Sequence, residues 1–176
     1  MEYVKEYNYF AGLLYMIKLT DKQIAEFYHR SYKAVDGLWF AKVEEKYGFD
    51  TALQIDEQVW KVLPKIQARL LKSMGDFGTG MEALLGCLTT KLFLEGFTFR
   101  VEGEDKGKSF TIVVERCPWH DLLIKSGREE LSGRVGALIC NTEYPVWVTE
   151  FDNSISFELG KQICMGSQFC TLKFSH

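Results

Sequence analysis

The chain lacks the features that would commit it to a membrane or to nucleic acid. No run among its 176 residues is long and apolar enough to span a bilayer. The opening Met1-Glu2-Tyr3-Val4-Lys5 lacks the charged-then-apolar layout of a secretory signal. Acidic side chains outnumber basic ones, 24 to 21, for a net charge of −3. That balance gives no global electrostatic reason to expect nucleic acid or an anionic membrane as partner. There are only three histidines, so few imidazoles are on offer as bases or ligands, and the five cysteines include no Cys-x-x-Cys knuckle. A cytoplasmic location follows as the default expectation. Thiols stay reduced there, and the cysteines should be free, metal-bound or redox-active rather than paired in disulfides.

What is present is enough apolar material for a core. Hydrophobic residues make up 47% of the chain and aromatics 14%, which argues against disorder. The length suits one compact domain, with residues 1–176 forming a single unit. Tyr9 to Leu19 is apolar but short, so residues 1–19 read as a packing arm.

The first half has helical periodicity. Thr20 and Gln23 form a capping-box pair, and Ile24, Phe27, Tyr28, Ser31, Val35, Leu38 and Trp39 follow helical spacing up to about Lys46, where Gly48 is placed to stop the helix. Asp50 is expected to cap a second helix, in which Ile55, Val59, Val62, Leu63, Ile66 and Leu70 make a stripe that Pro64 should kink or restart. Lys61, Lys65, Arg69 and Lys72 lie along another face and read as a solvated run. The glycine-rich Ser73–Gly80 link has no Gly-Lys-Ser or Gly-Lys-Thr after it, so it is not a phosphate loop. Thr79 and Glu82 suggest another capping box, for a third helix that Gly96 closes and that carries Cys87 as a core residue.

The period then changes. Phe97 to Glu102 alternates like a half-buried strand, and Ser109 to Cys117 reads as the returning strand. Pro118 opens a short helix to about Lys125. Ser126 and Glu129 open another that runs towards Cys140, and Asn141 to Phe151 reads as a further helical piece around Pro145. Ile155, Phe157 and Leu159, then Cys170, Leu172 and Phe174, alternate as two final strands. The expected fold is α+β, with N-terminal helices packed on one face of an antiparallel sheet built from two hairpins.

Chemistry concentrates in the last third, where Cys117, Cys140, Cys164 and Cys170 fall. Cys117 sits where a strand meets a helix N-terminus, a position that lowers a thiol pKa, and His120 follows one helical turn later. Zinc takes four thiolate or imidazole ligands. Cys140, Cys164 and Cys170 supply three, with Cys117 or His120 as the fourth; an iron–sulfur cluster on the four cysteines is the alternative. A catalytic reading instead makes Cys117 the nucleophile and His120 its base, oriented by Asp121 or Glu115. Trp39, Trp60, Trp119 and Trp147 offer aromatic walls for a small-molecule pocket, with Glu44 or Glu45 near Trp39 as a polar group.

The segment Cys140-Asn-Thr-Glu-Tyr, the strand with Ile155 and Phe157, Cys164-Met-Gly and Cys170-Thr-Leu-Lys-Phe174 together resemble the tail of vinyl-4-reductase-type (V4R) small-molecule-binding domains. The chain is also similar to a group named after L-2-amino-thiazoline-4-carboxylic acid hydrolase, where Asp36-Gly-Leu-Trp-Phe-Ala-Lys-Val-Glu-Glu-Lys-Tyr-Gly48 and Val59-Trp60 look like its helices. The first resemblance implies an α+β fold, a pocket for a small apolar ligand and a zinc site of three cysteines and a glutamate. Cys140, Cys164 and Cys170 match that layout, whereas Lys161 stands where the glutamate is expected. The second implies hydrolysis of a carbon–nitrogen bond in a small cyclic substrate. The leading expectation is therefore a zinc- and small-molecule-binding protein; a hydrolase, or a regulatory subunit that forms a homodimer through its helical face, are the alternatives.

Overall fold

The computed structural model describes residues 17–105 and 107–176. Backbone proximity divides the chain into two compact units, Met1–Trp39 and Phe40–His176. The division falls inside the first helix, α1 (Asp21–Tyr47), where the sequence shows no linker. Most of the expected packing arm, residues 1–16, lies outside the described residues.

In the first unit the capping box forms as its residue types require. The Thr20 N–H donates to Gln23 Oε1 at 2.9 Å, and the Gln23 N–H donates to Thr20 Oγ1 at 3.3 Å. The apolar positions that follow do not enter a core: no residue of α1 is buried.

In the second unit, α1 ends before Gly48, whose φ of 84° is open to glycine and strained for other residues. The next helix, α2 (Phe49–Trp60), begins directly after that glycine, so Asp50 lies in its first turn and does not cap it. Pro64 restarts the helix, because it sits in the first turn of α3 (Leu63–Gly75), where its missing N–H costs nothing. Gly80, without any side-chain cap, precedes α4 (Met81–Glu95). The expected Thr79–Glu82 box is absent there; the Gly80 N–H donates instead to the Phe151 carbonyl at 3.1 Å. Two strands follow, β1 (Thr98–Asp105) and β2 (Ser109–Arg116), and then α5 (Pro118–Lys125). The last helix, α6 (Glu129–Thr149), is one continuous element that carries Pro145 within it, rather than the two pieces its sequence suggests. A short β3 (Ser156–Leu159), a single 3-10 turn at Ile163–Met165 and β4 (Cys170–Ser175) complete the chain.

The sheet is antiparallel with strand order β1-β2-β4-β3, so two hairpins meet along the β2–β4 seam. Register places Phe110 opposite Phe174, Ile112 opposite Leu172 and Val114 opposite Cys170. The period of two then sends these residues to one face. There Phe110 and Phe174 stack with centroids 4.7 Å apart, Phe157 lies 5.2 Å from Phe174, and Tyr144 of α6 lies 5.4 Å from Phe157. Leu84, Leu88 and Leu92 of α4 and Trp147 of α6 join the same buried cluster, each with no exposed surface. This is the α+β arrangement that the order of elements leads one to expect. Among the described residues no helix is long and apolar enough to cross a membrane.

Leu88 occupies the centre of this cluster with no room for solvent. Leu88→Ala is expected to cost about 2–5 kcal/mol, the usual penalty for a cavity in a packed core. Urea unfolding monitored by circular dichroism checks it; a loss below about 1 kcal/mol would contradict this placement.

Candidate functional site

Four separated stretches of backbone bring the C-terminal thiols to one end of the sheet. Register pairs Cys170 with Val114, which puts its side chain on the core face with Leu172 and Phe174. Cys117 follows three residues after Val114, at the N-cap position of α5, and packs against the same core. Cys140 lies on α6 one turn beyond Gly136. Cys164 lies in the 3-10 turn, pressed against α6: a Cβ on Gly136 would lie 2.4 Å from Cys164 Sγ, and one on Gly133 would lie 3.2 Å from the Cys164 carbonyl oxygen. The turn therefore approaches α6 only because those two positions lack side chains. Cys164 and Cys170 do not simply face each other across a hairpin, since the Ile163 N–H donates to Cys170 Sγ at 3.2 Å.

Burial keeps these thiols protonated. The Cys140 thiol is pushed well above its ordinary value, first by burial and then because charge on Glu143, Cys117, Cys164 and Cys170 opposes charge on its sulfur. Burial also raises Cys164 and Cys170. Cys117 is pushed up to about 11 by burial, although the backbone N–H groups of His120 and Trp119, and more weakly Lys91, favour its thiolate. The expectation of a lowered pKa at this helix start is thus overturned: desolvation outweighs the helix terminus. Cys87 has no exposed surface and is the core residue its helix implies.

Beside the thiols lies a charged cluster that the sequence reading did not identify. Lys91 of α4, 3% exposed, pairs with Glu143 of α6 and with Glu95 at 3.0 Å; both carboxylates are buried too. Burial works against the Lys91 ammonium, but the charges and hydrogen bonds of Glu143 and Glu95 outweigh it and leave its pKa raised. Glu143 is raised as well: burial pushes it up and Glu95 adds to that, against the pull of Lys91. Glu95 also accepts from Gln67 Nε2 and Trp119 Nε1, each at 3.3 Å. The available signals are Lys91 and Glu95 spaced i,i+4 in α4 beside the core residues Leu88 and Leu92, and Glu143 one turn after Cys140.

The remaining candidates go elsewhere. The His120 imidazole does not engage Cys117; its Nδ1 lies 2.6 Å from Oγ of the buried Ser132. Asp121 pairs with Arg116 at 2.7 Å and Glu115 with Arg100 at 2.5 Å, so neither orients the imidazole. Of the pocket residues, Trp39 is 66% exposed, Glu44 is held by Arg128 at 2.6 Å, and Trp60 is buried edge-on against Trp119 with centroids 5.9 Å apart. The basic stripe is largely neutralised, with Lys61 on Glu57 at 2.9 Å and Arg69 on Glu150 at 2.8 Å. The thiol donor chemistry suits a soft metal such as zinc. The arrangement is more open than a ligand shell: among the described residues no three His, Cys, Asp or Glu side chains are grouped so as to hold a metal ion.

The raised thiols make stability fall in alkali. The folded state holds Cys117 protonated to about 11, while the unfolded chain releases that proton near 9. The contribution is intact below about pH 8 and is lost as pH rises through that window, by at most about 3 kcal/mol for this thiol. Denaturant midpoints measured from about pH 8 to 11 should fall, less steeply in Cys117→Ala than in the wild type. Equal slopes would overturn the assignment.

Among protein families, one model matches residues 18–122, described as a family of unknown function (DUF6125). The match includes Lys91, Glu95, Cys117 and His120 and ends before Cys140. No curated protein matches the chain. With more than half of its length matched, the chain belongs to this DUF6125 family of unknown function.

Proposed function

We propose that this chain is a zinc- and small-molecule-binding protein, with Cys140, Cys164 and Cys170 as zinc ligands and Cys117 rather than His120 as the fourth. One observation carries the reading: four partly buried thiols from four separate stretches of chain converge at one end of the sheet, with the Cys164 sulfur pressed on α6 one turn before Cys140, where charge on the other three sulfurs opposes charge on Cys140. A divalent cation removes that repulsion, and soft thiolates favour zinc among the available metals. Cys117 is preferred as the fourth because it packs with Cys140 and Cys170 against the same core, and charge on it opposes charge on Cys140. Four protein ligands close a zinc shell, so the metal would tie β2, α6, the 3-10 turn and β4 together rather than activate water. Capture requires the thiol side chains to draw closer together. The small-molecule half of the reading is supported by the resemblance to V4R domains.

The hydrolase alternative finds less support. A thiol held protonated up to about 11, with no imidazole on it, is a poor nucleophile at neutral pH.

Zinc titration of tag-free protein, with metal analysis after gel filtration, tests the proposal. About one zinc per chain is expected, with a stabilisation near 2.7 kcal/mol at a hundredfold excess over Kd. Cys164→Ser should lose the zinc, and Cys87→Ser, a core position, should retain it. Protein that takes up no zinc and keeps all five thiols titratable after unfolding would refute the zinc site.

A further inference from the structure

We propose that the exposed apolar face of α1, from Ile24 to Trp39, is a homodimer interface on which a second copy of this chain packs helix against helix. Ile24, Phe27, Tyr28, Val35, Leu38 and Trp39 are all exposed, from 40% at Ile24 to 67% at Tyr28 and Val35. At 3.6 residues per turn these six fall within a stripe about 120° wide. Ser31 completes the stripe, and no charged side chain interrupts it; Glu26 and Arg30, paired at 2.5 Å, lie on other faces.

The spacing selects another helix as the occupant. Positions 24, 31 and 38 repeat every seven residues, as do 28 and 35. That is the period at which one helix stays against another along its length, and not one that a strand or an irregular segment would match. The area selects a partner of substantial length. Three aromatic and three aliphatic side chains exposed to this degree present on the order of 700 Å² of apolar surface. That exceeds what monomers ordinarily leave open and approaches the roughly 800 Å² per partner of a stable protein interface. The competing occupant is the apolar run Tyr9–Leu19 of the same chain. A second α1 spans the whole stripe and matches its period. This inference does not depend on the thiol site.

Sedimentation equilibrium on the full chain, from about 1 to 100 µM, tests it. The wild type should be a reversible dimer. Val35→Glu with Leu38→Glu should raise the dissociation constant at least about a hundredfold, since two charges would be buried without partners. Phe93→Glu, at a 72% exposed position on α4, should leave it unchanged. Far-ultraviolet circular dichroism monitors folding, and Tyr28→Lys replaces the double variant if that one loses helix. A wild type that stays monomeric at about 100 µM overturns the proposal, whatever covers the stripe. So does a folded α1 variant that dimerises like the wild type, or a dimer that Phe93→Glu abolishes.

Discussion

The helical layer of the larger unit depends on one buried ammonium. Lys91 reaches from α4 to Glu143 on α6 and to Glu95 one turn along its own helix, and all three groups are nearly out of reach of water. An unpaired charge in such a place would cost several kcal/mol, so neither helix can shift without exposing or stranding one of these groups. The cluster then recruits the other helices. Gln67 from α3 and Trp119 from α5 donate to Glu95, and the Trp60 ring from α2 lies 5.9 Å from Lys91 Nζ. Five helices thus take their positions from one cation and its two carboxylates. An apolar trio of equal volume would stabilise the unit at least as well. What the ions add is choice of partner, because each buried charge needs an opposite charge within reach.

The same cluster bears on the thiols. Glu143 comes one turn after Cys140 on α6, and charge on either opposes charge on the other. Lys91 acts in the opposite sense on Cys117. The two ends of the thiol group therefore experience opposite influences from one ion cluster, and burial adds to the first and overrides the second. A helix N-terminus and a nearby ammonium would suffice to activate an exposed cysteine. At Cys117 they only moderate the cost of desolvation. Whether a thiol at a helix start becomes reactive is thus decided by how well it is buried, a property of the fold and not of the local motif.

The same distinction explains what was legible in the sequence. Elements governed by local chemistry were readable from a few residues: Thr20 with Gln23 at the start of α1, Gly48 and Gly96 at helix ends, Pro64 and Pro118 inside first turns, and alternation along β2 and β4. Elements governed by tertiary context were not. Asn141 to Phe151 reads as a separate helical piece around Pro145, yet α6 runs unbroken from Glu129 through Pro145 to Thr149, with Tyr144 and Trp147 buried in the core. Thr79 looked like a cap, but the helix start is satisfied from Phe151, distant in sequence. Cys140, Cys164 and Cys170 could be grouped by their place in the chain. The Lys91–Glu143 pair could not, because its members are 52 residues apart and meet only when α4 packs on α6.

Glycine in α6 shows how a local choice can serve a distant group. Gly133 and Gly136 lower the propensity of a helix that already contains a proline, and neither has a positive φ that would require glycine. Their role becomes apparent only when the 3-10 turn is in place. The space a Cβ would occupy on Gly136 is filled by the Cys164 sulfur, and that on Gly133 is filled by the Met165 sulfur and the Cys164 carbonyl oxygen. A larger residue at 136 would push Cys164 away from α6 and so away from Cys140, one turn further on. The weakness these glycines bring to the helix is offset by the close approach they allow, and that approach assembles the thiol neighbourhood. Sequence propensity alone counts them as defects; packing shows that they let the turn carrying Cys164 lie against α6.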